Sequence, residues 1–66
     1  MNLEITINNI DDMLNNGNLD YNLRTIFNEI CNKMDEFKGD PTGYEHNITD
    51  VVKGIVIATW SIKEDD

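Results

Sequence analysis

The sequence predicts an all-α domain, a small bundle of about three helices near residues 8–16, 20–37 and 49–62, on three observations. Between Asp20 and Phe37, the apolar residues Leu23, Ile26, Phe27, Ile30, Met34 and Phe37 recur at steps of three and four, which gathers them on one side of a helix. Asn16-Gly17-Asn18-Leu19 is a short link of the kind that joins two antiparallel helices. Asn47-Ile48-Thr49-Asp50 reads as a helix start, with Thr49 as the cap and Asp50 in the first turn.

The opening residues support two readings. Leu3, Ile7, Ile10 and Leu14 form a helical stripe, whereas Leu3, Ile5 and Ile7 alternate as in a short strand. In the second reading Asn8 caps a shorter helix with Asp11 and Asp12 in its first turn, where the helix dipole favours negative charge. Both readings share a helix from about 8 to 16, ended at Gly17.

The central helix has Asp20 as its expected cap, Lys38 at the negative end of its dipole and Gly39 as its left-handed stop. Lys38 to Asn47 then forms the one loop, in which Pro41 biases Asp40 away from helix.

The last segment, 49–62, carries contradictory signals. Ile48, Val51, Val52, Ile55, Thr59 and Ile62 suit a helix that is apolar nearly all round. Gly54 disfavours that helix by about 1 kcal/mol, and Val52, Val56, Ala58, Trp60 and Ile62 alternate as in a strand. Helix is the expectation, because a two-stranded sheet alone is marginal. The alternative is an α+β fold in which a short N-terminal strand pairs with a C-terminal strand.

Sixty-six residues form a single small domain, with roughly 100 kcal/mol of conformational entropy to offset from a small core. One cysteine, Cys31, precludes an intramolecular disulfide and suits a reducing, cytoplasmic setting. At the edge of the helical stripe it is expected to be a small buried hydrophobe. No basic-then-apolar leader and no membrane-length apolar run is present, so no membrane association is expected. Ten Asn and nine Ile against one Ala, one Arg and one Pro track AT-rich codons, as in a low-GC bacterium or one of its phages.

The net charge is −8, from thirteen acids against five basic residues. No Lys or Arg precedes Arg24, residues 21–38 balance, and the acids concentrate towards both ends. Such a surface repels nucleic acid and anionic membranes and attracts basic proteins.

No catalytic constellation emerges. His46 lies beside Glu45 and near Asp40, a pairing that acid–base chemistry can use, but no nucleophile accompanies it. Asp40, Glu45, His46 and Asp50 match neither a zinc nor a calcium-loop spacing, so neither metal nor cofactor is expected. Gly39 and Gly43 lack the Lys-Ser/Thr pair of a phosphate-binding loop.

The run from Ile26 to Gly43, an acidic helix followed by Asp40-Pro41-Thr42-Gly43, resembles the immunity proteins of nuclease colicins, which also carry a later helix with a Trp. The resemblance covers under half of the chain, and the family's tyrosine pair is absent apart from Tyr44. It implies a helical inhibitor of a basic nuclease.

Charge and resemblance lead to one expectation: a non-catalytic acidic protein that binds and inhibits a basic, nucleic-acid-acting partner, its carboxylates imitating phosphates. Asp11, Asp12, Asp35, Glu36, Asp40, Glu45 and Asp50 would supply the charge, and Tyr44 and Trp60 the apolar anchors. The alternative is a self-assembling structural or regulatory module, a homodimer for instance, using the apolar 51–62 segment as its interface.

Overall fold

The computed structural model describes residues 1–65 and is α+β, with element order β1 (Asn2–Ile7), α1 (Ile10–Asn15), α2 (Leu19–Glu36), β2 (Glu45–Asp50) and β3 (Ile55–Lys63). The strands form one antiparallel sheet in the order β1-β3-β2. The all-α bundle is therefore overturned, and the alternative of an N-terminal strand paired with a C-terminal strand describes the chain. Two compact units are distinguished: the sheet, built from Met1–Asn8 and the chain from Gly39 onward, and the helical stretch Asn9–Lys38.

In the sheet unit, the segment expected as a third helix is a β-hairpin. Thr49 caps nothing; it lies in β2, and Asp50 ends that strand. The Asp50 carboxylate accepts hydrogen bonds from Val52 N at 2.9 Å and Lys53 N at 3.2 Å, while Gly54 N donates to Asp50 O at 2.7 Å. Gly54, awkward inside a helix, here supplies the left-handed residue of the turn at φ 70°. The apolar run after it, residues 55–58, opens β3, which is the central strand, paired on both sides.

The sheet alternates by face. Leu3, Ile5 and Ile7 of β1 share the apolar face with Ala58, Trp60 and Ile62 of β3 and with Ile48 of β2, as the strand register requires. Ile48, Ala58, Trp60 and Ile62 are buried. A register shift at Ile48/Thr49 leaves Ile57 without a β2 partner, since Ala58 faces Ile48 and Val56 faces Thr49. This bulge accompanies two adjacent buried residues, Ile57 and Ala58; further along the strand Trp60, Ser61 and Ile62 are all buried.

Asn8 N donates to Ile57 O at 2.8 Å, and Asn9 then takes a left-handed conformation (φ 60°) that Asn tolerates better than most residues. In the helical unit, α1 ends in a paired-bond cap in which Asn18 N reaches Met13 O at 2.9 Å and Gly17 N reaches Leu14 O at 3.2 Å, with Gly17 at φ 74°. Helix α2 begins at Leu19 after Asn18, so Asp20 lies in the first turn and pairs with Arg24 instead of capping. It ends because Phe37 is extended (ψ 133°), before Gly39 is reached. Ile26 and Ile30 are buried as the periodicity requires, but Asn22 is buried too, whereas Phe27 and Cys31 are exposed.

Candidate protein-binding surface

The polar face of the sheet is built by the same alternation that forms the apolar one. Glu4 of β1 and Glu45 of β2 both pair with Ser61 of β3, so the rung Glu4–Ser61–Glu45 sets two carboxylates astride a small hydroxyl residue. The next rung is Thr6–Thr59–Asn47, in which Thr59 Oγ1 donates to Asn47 Oδ1 at 3.0 Å. On the other side, Lys63 Nζ reaches Glu4 Oε2 at 3.2 Å. Asn2, Glu4, Thr42, Glu45, Ser61 and Glu64 contribute to a shallow depression on this face, open to solvent.

The loop before β2 is fastened to the end of β3. Gly43 N donates to Ile62 O at 2.8 Å, and Ile62 N to Tyr44 O at 2.9 Å. Within the loop, Asp40 Oδ1 accepts from Thr42 N at 2.9 Å and from Thr42 Oγ1 at 2.5 Å. These bonds, the hydroxyl first and the backbone N–H second, favour the carboxylate and hold the Asp40 pKa below its ordinary value.

The expected site residues separate into distinct settings. Glu45 faces the polar side. Asp40 and Asp50 are exposed or half-buried, but their carboxylates shape the turns they sit in. Asp11 and Asp12 are exposed in the first turn of α1; Asp35 and Glu36 are exposed at the end of α2, with Glu36 paired to Lys33 at 2.9 Å. Trp60, expected as an anchor, is 1% exposed and lies on the apolar face.

Tyr44 is half-buried, with its ring 5.1 Å from that of Trp60 and 6.2 Å from that of His46. His46 lies opposite Trp60 on the apolar face, while its strand neighbour Glu45 points to the polar one. The alternation of a strand thus separates the His–carboxylate pair that adjacent positions suggested.

Sequence reasoning missed Glu4, whose association with Glu45 depends on strand register, and Glu64, which lines the same depression. Val51 and Val52, expected in a helix and within the alternative 51–62 interface, are 93% and 90% exposed at the tip of the β2–β3 hairpin.

Among the described residues, no group of three or more His, Cys, Asp and Glu side chains could hold a metal ion. No described helix is long and apolar enough to cross a membrane. No family model, curated protein or solved structure matches the chain. The likeness to colicin immunity proteins thus rests on Ile26–Gly43 alone, and where those proteins carry a Trp-bearing helix this chain places Trp60 on a strand.

Proposed function

We propose that this chain is a non-catalytic acidic binding protein that docks on and inhibits a basic protein. The observation that carries the reading is the Glu4–Ser61–Glu45 rung on an open sheet face, whose depression Glu64 and the Glu4-paired Lys63 also line. Carboxylates presented from rigid strands lose little entropy on meeting lysines and arginines, and they hold a fixed pattern. A partner that acts on nucleic acid carries the matching basic cleft, since it must accept phosphates.

Val51 and Val52 take the anchoring role that Trp60 cannot fill. Two valines on a turn held by Asp50 present apolar area with restricted rotamers. The alternative, assembly through the 51–62 segment, would rest on its start, where Val51, Val52, Ile55 and Val56 are exposed, since Ile57, Ala58, Trp60 and Ile62 are buried.

The test is capture of partner from host lysate on immobilised chain at low salt, with stepwise salt elution. The expected result is a basic protein that elutes as salt rises, and whose nucleic-acid-directed activity falls on adding the chain back. The triple variant Glu4→Gln/Glu45→Gln/Glu64→Gln should lose most retention while keeping its fold. Retention indifferent to both salt and the triple variant would overturn the reading.

A further inference from the structure

The two edges of the sheet differ in how open they are to a further strand. In an antiparallel ladder, residues alternate between bonding the neighbour and turning their N–H and C=O away. The bond from Asn8 N to Ile57 O sets the phase, so Asn2, Glu4, Thr6 and Asn8 bond to β3 while Leu3, Ile5 and Ile7 turn their backbone groups outward. Those outward groups have no partner among the described residues.

Along β1 there is no Lys, no Pro and no bulge, and its one charge, Glu4, is paired with Lys63. Strand β2, at the other edge, carries Glu45, Asp50 and the register shift at Ile48/Thr49. At its far end β1 is held in place by Lys63 on Glu4 and by the Met1 ammonium on Asp65.

We infer that the β1 edge is a self-recognition site: two copies pair β1 to β1 antiparallel, about a twofold axis at Ile5, into one continuous six-stranded sheet. The occupant is a second copy because the strand is self-complementary in one register only. Centring on Ile5 sets Leu3 opposite Ile7 of the second copy and Ile5 opposite Ile5. Every outward-facing residue of the strand then meets another outward-facing residue, and each pair exchanges two hydrogen bonds. Side chains follow the same logic: apolar residues meet on the apolar face, and Glu4 meets Thr6 on the polar one.

Neighbouring registers fail. A slip one way sets Glu4 against Glu4 and draws Met1, which precedes the strand, into the pairing; a slip the other way draws in Asn9, whose positive φ takes it out of the strand. The interface is isologous, as closed dimers require.

Salt separates this contact from binding to a basic partner. Two chains of charge −8 repel, so dimerisation strengthens as salt rises, whereas attraction to a basic protein weakens. The experiment is sedimentation equilibrium over a concentration series at low and high salt, with amide exchange followed by NMR. The expected result is a monomer–dimer equilibrium favoured by salt, with the Leu3, Ile5 and Ile7 amides gaining protection as concentration increases.

Thr6→Glu places like charges opposite each other twice per dimer and should weaken association roughly tenfold. Thr6→Lys should strengthen it beyond Asn28→Lys, which makes the same charge change on an exposed helix position. A chain that stays monomeric at every concentration and salt overturns the inference. So does a dimer that leaves the Leu3, Ile5 and Ile7 amides unprotected, or one indifferent to charge at position 6.

Discussion

The ring of Tyr44 lies against that of Trp60 with centroids 5.1 Å apart and planes tilted by 43°. This is the central packing contact between the β2 entry loop and the middle of β3. Trp60→Ala should cost about 3–5 kcal/mol, as large aromatic truncations in cores do. Trp60→Phe should cost much less, since Trp60 Nε1 has no hydrogen-bond partner among the described residues to lose. Urea unfolding curves measure both, and the wild-type Trp emission should shift to the red on unfolding.

The hairpin tip depends on one carboxylate. Asp50→Ala removes the acceptor for Val52 N and Lys53 N and should cost about 1 kcal/mol. Asp50→Asn keeps an acceptor oxygen and should fall within a few tenths of wild type. Equal losses for the two substitutions would show that charge, and not acceptance of the turn's N–H groups, is what matters there.

Asp40 gives a pH dependence with a defined sign. Its folded pKa lies below the unfolded value of 3.8, so its contribution to stability is present above that value and is lost as pH falls through the lower folded pKa. Thr42→Val removes the hydroxyl donor and leaves the backbone one, so the Asp40 pKa should rise partway towards its ordinary value. Carboxyl-carbon NMR titration of both chains reads this directly.

Gly17 tests the α1–α2 link without steric complication. It adopts φ 74°, and a Cβ built there meets nothing within 4 Å. Gly17→Ala should therefore report left-handed backbone strain alone, about 1–2 kcal/mol. A neutral result by thermal unfolding would mean that the cap readily relaxes.

The helical stretch was legible because its signals are local. The 20–37 stripe predicts a helix that forms at Leu19–Glu36, and the expected 8–16 helix forms at Ile10–Asn15. Gly17 marked the end of the first, and its bonds to Leu14 and of Asn18 to Met13 involve only near neighbours. Burial within α2 was less legible: Asn22 is buried while Phe27 and Cys31 are exposed, because which edge of a stripe is covered depends on what it packs against.

The candidate surface was legible only in part. Asp40, Glu45 and Asp50 were identifiable as acids in a turn-rich region, but two of the three carboxylates hold turns. Glu4 joins Glu45 through Ser61, a relation between residues forty-one positions apart that no local pattern reports.

By itself, the sequence determined the charge of −8, the central amphipathic helix and its glycine-marked link to the helix before it. Only the tertiary structure decided between helix and strand at residues 49–62. Val, Ile and Thr at mixed spacing satisfy both periodicities, and a β3 strand gains its ladder only when residues 2–8 and 43–50 arrive on either side. A helix closes its hydrogen bonds within its own segment, whereas a strand borrows them from distant chain, so the strand's stability cannot be read from the strand alone.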